Sequence, residues 1–553
     1  MFFAHIRPIH PVRALLTLVL GTALMSLLFL PAQAPNENRI ALDWRPEIEV
    51  LLLVGLVAAF AALGRRMPTG LRWTAASLLI LGALLHGIAA AVPSFFEREL
   101  DLYWDLPHVP GLIGLFFAAK GWWKASLILL GIAVGLVAVI AVVALLLRLM
   151  ERALRGHNRP GLALIVVGLS VVLLPIPWPA AGSLATAGLS REVGHQLANA
   201  WFSFRVLNGG GGPYGEALAS PEPPVRDLKG LRGRDVYLVF FESYGTTVLD
   251  DPQFAAEIKP ALAAFETSVE DAGYYIVSNR IDSPTFGGGS WLAHGTIASG
   301  LRLDRFLYRL LLSSERRTLP KYFAAAGYRS LNIMPGIKKP WPEGAYWGFD
   351  RLITAKDLAY DGPEFGWFDV PDQWTLKKAL EVVDAEPHPA QLTQIVLVSS
   401  HTPFAPVPPY VEDWSDVGPY KGIAQDAWTR IYRDPDWWHL ESPYLESVKY
   451  DLKALAGWMR QLKGQPLIIV LGDHQPPGFV SGAEAPHTVP IHVLSRDEDL
   501  VLPFTNLGYV AGAIPPTEGS FKGMESFLPD FLSLFASGHS VATAPREAAA
   551  PEP

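Results

Sequence analysis

Five apolar runs crowd the first 180 residues: Val12–Leu30, Ile48–Leu63, Trp73–Val92, Ala125–Leu147 and Leu162–Trp178. Most reach the ~20 residues that a bilayer core demands of a helix. Within lipid a chain must satisfy its own backbone N–H and C=O groups, so runs of this kind are read as spanning helices. The second run is short and relies on Arg65 and Arg66 reaching out to the interface. Ala32-Gln33-Ala34 after the first run resembles a signal-peptidase site, but the run is long for a signal peptide, and a retained anchor is expected. Pro107–Trp123 is aromatic, apolar and broken, which suits a piece lying in the interface.

Loop charge sets the expected orientation. Arg7 and Arg13 precede the first run, Arg65, Arg66 and Arg72 follow the second, and Arg148, Arg152, Arg155 and Arg159 follow the fourth. The loop between the third and fourth carries Glu97, Glu99, Asp101 and Asp105 instead. Positive loops stay in the cytoplasm. Five spans then leave everything after Trp178 on the extracytoplasmic side. Residues 1–180 are therefore read as a transmembrane domain. Residues 181–230, with an amphipathic Val193–Phe204, Gly209–Gly212 and Pro221-Glu222-Pro223-Pro224, are read as a linker. Residues 231–536 form an extracytoplasmic α/β domain, and the small, polar 537–553 is a disordered tail.

In that α/β domain three continuous apolar runs stand out: DVYLVFF from Asp235, TQIVLVSS from Thr393 and PLIIVLG from Pro466. Such runs mark strands buried on both faces. Helical patterns such as Leu319–Ala326 and Tyr444–Leu462 lie between them, so a largely parallel sheet is expected. Sites in open α/β sheets form beyond the carboxyl ends of strands. Glu242 directly follows the first run, His401 the second, and Asp473 and His474 the third. Two carboxylates and an imidazole converge, a donor set that suits one divalent ion, Mn²⁺ or Zn²⁺.

A fourth donor is expected from Asn279–Gly300, NRIDSPTFGGGSWLAHGTIASG. Gly287–Gly289 interrupt regular structure, and Ser290 opens a short helical stretch. A serine there has two readings. It is a helix cap, or it is a nucleophile whose developing charge faces free N–H groups and the positive end of the helix dipole. Thr285 and Thr296 are rivals without that helix-start position. His294 lies one helical turn on from Ser290 and shares its face. It suits either a substrate phosphate or ordinary packing.

These residues resemble the alkaline phosphatase/sulfatase superfamily, in particular its membrane-anchored lipoteichoic acid synthase and phosphoglycerol transferase branch. VYLVFFESYG resembles the branch's first strand with its metal-binding glutamate, LIIVLGDHQPP its Gly-Asp-His motif, and VSSHTPF its Ser-x-His-x-Pro-Phe segment. Ser290 to Gly300 repeats the spacing from nucleophile to small-residue-Gly. The resemblance implies an alkaline-phosphatase-like fold and a metal held by Glu242, Ser290, Asp473 and His474. It implies Ser290 as nucleophile and His401 as a phosphate-contacting catalytic residue. His487 resembles a superfamily histidine on the substrate side. Lys338, Lys339 and Trp341 form a basic-aromatic patch that suits a phosphate or glycerol head group.

Departures narrow the reading. Leu292 and His294 stand where a formylglycine sulfatase has Pro or Ala and Arg. The absence of cysteine excludes disulfides, usual in phosphoethanolamine transferases, and moves weight toward phosphoglycerol chemistry. A net charge of −8 gives no footprint for nucleic acid. The expectation is an integral plasma (inner) membrane phosphotransferase with a membrane phospholipid donor and an envelope glycan or lipid acceptor. The alternatives are a phosphodiesterase, phosphatase or sulfatase-like hydrolase with the same site, and a membrane sensor or scaffold without chemistry.

Overall fold

The computed structural model describes residues 11–33, 40–96, 98–155, 186–208, 212–365, 368–383, 388–421, 436, 439–482 and 484–537. The expected fifth span Leu162–Trp178, Glu97, most of the glycine run at 209 and the tail beyond residue 537 lie outside the described residues. The chain divides into two compact units, Met1–Phe204 and Arg205–Pro553.

The first unit is helical. Its principal helices are α1 (Pro11–Ser26), α2 (Ile48–Ala62), α3 (Thr69–Phe96), α4 (Val109–Lys120), α5 (Trp122–Leu154) and α6 (Gly188–Asn208). Among the described residues, three stretches are long and apolar enough to cross a membrane: Val12–Phe29, Thr69–Phe96 and Trp122–Leu154. The 15-residue α2 is apolar but, at ~1.5 Å per residue, falls short of the bilayer core. The interfacial piece expected at Pro107–Trp123 is mostly α4, and Gly121, at φ 74°, breaks it from α5. Leu18, Val50, Val54, Ala76 and Leu147 share one apolar core. Arg72 reaches Glu151 near the end of α5 at 2.7 Å, and the other Glu151 oxygen accepts the Met67 amide. Arg155 donates to the Gly64 carbonyl. The arginine-rich segments after α2 and at the end of α5 therefore sit at the same end of this unit.

The second unit is built on an eight-stranded sheet. In chain order its strands are β1 (Val236–Phe241), β2 (Tyr275–Asp282), β3 (Arg329–Met334), β4 (Arg351–Thr354), β5 (Gln391–Leu397), β6 (Leu467–Gly472), β7 (Thr488–Ser495) and β8 (Val510–Ala511), and the spatial order is β8-β2-β7-β6-β1-β5-β3-β4. Strands β6, β1, β5, β3 and β4 run parallel. The expectation of a largely parallel sheet is met there; β7 pairs antiparallel with both β6 and β2.

Alternation along β1 explains its unbroken apolar run. Tyr237, Val239 and Phe241 enter one core, beneath α7 (Pro252–Glu270), α9 (Asp372–Val383) and α10 (Glu441–Gln461). Val236, Leu238 and Phe240 enter the other, with α8 (Ser290–Ser299), Arg305–Leu312 and α11 (Phe527–Leu534). A strand covered on both faces has no position left for a polar residue. Polar chemistry is thereby pushed to the strand ends.

Candidate active site

Strands β1 and β6 are neighbours in parallel register, with Phe241 opposite Gly472. The next residue on each is Glu242 and Asp473, so two carboxylates leave the sheet side by side. The chain after β1 turns sharply: Ser243 is left-handed at φ 54°, and its amide donates to Asp473 Oδ1 at 2.8 Å. The turn crosses β6 so closely that a Cβ on Gly472 would lie 1.9 Å from the Tyr244 carbonyl oxygen. Ligand atoms of Glu242, Asp473 and His474 lie within 4.8 Å of one another, and all three residues are buried.

Ser290 joins them from the other side. Gly289, left-handed at φ 77°, delivers the chain into α8. Ser283 Oγ donates to the Asp473 carbonyl and the Gly287 amide to the Gln475 carbonyl, which ties the glycine loop to the end of β6. Ser290 Oγ then lies 3.2 Å from Glu242 Oε2 and 3.1 Å from His474 Nε2. The helix N-cap is Gly289, and Ser290 is the first residue inside the helix. The two readings left open by the sequence thus separate: this hydroxyl faces the carboxylate–imidazole cluster. The rival hydroxyls are engaged elsewhere. Thr285 Oγ1 donates to the Gly288 carbonyl, and the wholly buried Thr296 accepts the Leu303 amide.

Electrostatics mark the cluster as a cation site. Burial pushes the Asp473 carboxyl up to about 7, with the Glu242 charge adding to it. Burial acts the same way on Glu242, but the hydrogen bond and charge of His474 outweigh it and hold that carboxyl at about 2. Burial opposes the charged form of His474, yet Asp473 and Glu242 raise it to about 9. The protein alone therefore uses a proton on His474 to offset its carboxylates. His474 Nδ1 donates to the Gln475 carbonyl at 2.7 Å, which leaves Nε2 as the nitrogen facing the cluster. Asp473 Oδ2 is buried and lacks a hydrogen-bond partner. Such an atom is costly unless something cationic meets it. Two carboxylates, one imidazole and a hydroxyl with an orphaned oxygen fit one divalent ion.

The other expected residues form a second ring. His294 Nε2, buried and unpartnered, lies 3.9 Å from Asp473 Oδ2, and burial holds its imidazole down at about 3, neutral. Its ring packs on Phe240 at 4.0 Å. His401 is tied in through its neighbour: Ser400 Oγ donates to the Glu242 carbonyl at 2.7 Å. The His401 ring meets Phe368 edge-on at 4.9 Å. Lys338, read as part of a patch suited to a phosphate or glycerol head group, pairs with Asp369 beside Phe368. Trp341 packs against Gly344 and the second core. His487 lies against Phe286, with the rings tilted at 48° and 5.3 Å apart, and is not part of the four-residue cluster. Trp291, directly after Ser290, is 42% exposed with its ring edge on Tyr308, and sequence reasoning did not single it out.

Comparison with known proteins gives one family match. Residues 307–490 match the Sulfatase family model. That stretch takes in Lys338, Trp341, His401, Asp473, His474 and His487, while Glu242 and Ser290 precede it. No curated protein matches the chain in sequence. Among solved structures, the chain is similar to the integral membrane lipooligosaccharide phosphoethanolamine transferase A from Neisseria meningitidis, at 13% identity and TM-score 0.40, over 88% of this chain and 95% of that one. It is similar to the lipoteichoic acid synthase LtaP from Listeria monocytogenes, at 13% identity and TM-score 0.37, over 59% and 77%. It is also similar to the phosphoglycerol transferase GacH from Streptococcus pyogenes, at 14% identity and TM-score 0.33, over 53% and 75%. All three scores lie below 0.5. The matched residues 307–490 carry a Sulfatase-family domain, and with it an enzyme domain of the alkaline phosphatase/sulfatase superfamily.

Proposed function

We propose that this chain is a metal-dependent membrane phosphotransferase. It takes the head group of a membrane phospholipid, phosphoglycerol or phosphoethanolamine in type, onto Ser290 and passes it to an envelope glycan or lipid acceptor. The observation that carries this reading is the Ser290 hydroxyl within 3.2 Å of both Glu242 Oε2 and His474 Nε2, at the start of a helix. Glu242, Asp473, His474 and Ser290 would hold the divalent ion, Mn²⁺ or Zn²⁺. When bound, it supplies charge that lowers the hydroxyl's pKa and neutralises a phosphoryl oxygen.

The residues of the chain do the rest. Ser290 Oγ forms a bond to phosphorus as the bond from phosphorus to the diacylglycerol oxygen breaks, and the Ser290 proton ends on the leaving alcohol. The free N–H groups at the start of α8 favour charge developing there. His401 stabilises the phosphoryl oxygens, with its backbone fixed through Ser400 and Glu242. Covalent catalysis retains the head group while the diacylglycerol leaves into the bilayer. Apolar helices of spanning length on the same chain suit a lipid donor. The arginine-loop asymmetry supports a site on the extracytoplasmic side of the plasma membrane.

The test is brief exposure of the purified full chain, loaded with Mn²⁺ or Zn²⁺, to phosphatidylglycerol vesicles, then mass spectrometry of the peptide containing Ser290. Phosphoglycerol mass on Ser290, absent in Ser290→Ala, is expected. Label on Thr285 or Thr296, or a fully active Ser290→Ala, overturns the reading. Release of all the label to water with every acceptor offered favours a hydrolase.

A further inference from the structure

Two carboxyl groups face each other in the dry interior behind His401, outside the metal cluster. Asp372 opens α9 and Asp451 lies in α10, and neither is exposed at all. Asp372 is fully engaged as an acceptor. Its Oδ1 and Oδ2 accept the Val398 amide at 2.9 Å, and Oδ2 accepts the Ser399 amide at 2.6 Å. Its own amide donates to Ser399 Oγ. Asp451 meets no donor at either oxygen, yet its carboxyl lies in hydrogen-bonding contact with that of Asp372. Two acceptors in contact imply a proton between them.

The location of that proton follows from the partners. Two carboxylates in an apolar interior cannot both ionise. Asp372 spends its lone pairs on two backbone N–H groups, which favours its charged form. Besides Asp372, Asp451 meets the Ser400 hydroxyl, whose own proton goes to the Glu242 carbonyl. The only charge acting on Asp451 among the described residues is that of Asp372, and Ser400 is its other polar neighbour. Tyr450 faces the pair from α10, and Tyr420, on the segment after β5, faces Tyr450; the Tyr450 hydroxyl accepts the Gln373 amide. Burial first, then the Asp372 charge, holds the Asp451 carboxyl well above the usual range.

We propose that Asp451 is a positioning residue for His401: it carries a proton, donates it to Asp372, and thereby keeps Asp372 clamped on the Val398 and Ser399 amides. A charge-assisted O–H···O⁻ bond is a strong member of its class. The clamped amides are the first two after β5. The third residue, Ser400, bonds the Glu242 carbonyl, and the His401 amide closes the turn on the Val398 carbonyl at 3.2 Å. The geometry of His401 against the cluster is therefore set from behind by one shared proton.

The functional half of this proposal rests on the phosphate role given above to His401; the proton does not. The test uses the full chain loaded with Mn²⁺, as wild type, Asp451→Asn and Asp451→Leu. Infrared difference spectra should show a protonated-carboxyl stretch in the wild type that Asp451→Asn lacks. An asparagine amide still donates to Asp372, so Asp451→Asn should keep turnover of bis(p-nitrophenyl) phosphate within about threefold, whereas Asp451→Leu should lose about tenfold in kcat with little change in KM. As pH rises, the wild type should lose rate relative to Asp451→Asn, because only the wild type has this proton to lose. An unchanged infrared band in Asp451→Asn overturns the proposal, as does Asp451→Leu turning over as fast as Asp451→Asn. A fully active His401→Ala alongside the expected band changes would reject the role of His401 and leave the shared proton standing.

Discussion

Phe241 and Gly472 stand opposite each other in parallel register, and the two residues that follow them are the carboxylates of the candidate metal site. The turn after Phe241 passes over Gly472 with no room for a side chain. Gly472→Ala would drive a Cβ into the Tyr244 carbonyl, and backbone rather than a flexible side chain would have to yield. We expect at least ~2 kcal/mol of lost stability in denaturant unfolding. Metal uptake should weaken with it, because Ser243 holds Asp473 through that turn. Wild-type stability in Gly472→Ala would contradict the close approach.

The ligand set predicts what each removal does. Asp473→Asn keeps the shape but loses the charge on the orphaned Oδ2, and His474→Ala removes the nitrogen facing Ser290. Loss of groups that merely support ligands costs 10–100-fold in metal affinity, so each of these direct changes should cost more than ~100-fold. Titration with Zn²⁺ and Mn²⁺, read by calorimetry, measures it. Lys338→Ala is the contrast: its charge is matched by Asp369, so metal affinity should stay within about twofold of wild type.

How much of this was legible in the sequence depends on what each residue's neighbours are. Glu242, Asp473 and His474 were readable because strands covered on both faces leave unbroken apolar runs, and the first polar residue after each marks the strand end. Ser290 was readable as a helix start, and its two roles separated only when β1 and β6 placed Glu242 and His474 against it. Asp372 and Asp451 were not readable: each sits in a helical pattern where an acidic residue ordinarily faces solvent, and only the packing of α9 against α10 buries them together. The partners of Lys338 and Arg72 were not readable either. A cation's partner, here Asp369 and Glu151, lies on another segment, and sequence spacing does not reveal it.

The membrane reading predicts a topology. The exposed Arg65 and Arg66 lie at the same end of the first unit as Glu151 and Arg155. That end should be cytoplasmic. Alkaline phosphatase reporters joined after Arg66 should be inactive, and those joined after Ser220 active. The reverse pattern would remove the lipid donor from consideration.

Acid stability should be limited in part by a histidine far from any catalytic role. His492, on β7, is wholly buried between two hydroxyls: Nδ1 lies 2.7 Å from Ser278 Oγ and Nε2 lies 3.2 Å from Tyr244 Oη. Ser278 Oγ donates its proton to the Gly512 carbonyl. Nδ1–H must therefore donate to Ser278, which leaves Nε2 to accept from Tyr244. Both nitrogens are satisfied in the neutral ring, and a second proton would displace the tyrosine bond. Burial accordingly lowers this imidazole from 6.5 to about 4. The sign follows from linkage: below pH 6.5 the unfolded chain takes up a proton that the folded chain refuses. Stability from this site is complete above that pH and is lost as pH falls toward about 4, a loss of up to roughly 3 kcal/mol. His492→Gln removes the titration, whatever it costs in packing. Its unfolding free energy, measured in urea from pH 7 to pH 4, should fall less steeply than that of the wild type. Parallel slopes over that range would show that His492 is protonated in the folded protein, and with it that the hydroxyl–imidazole–hydroxyl chain is not as drawn.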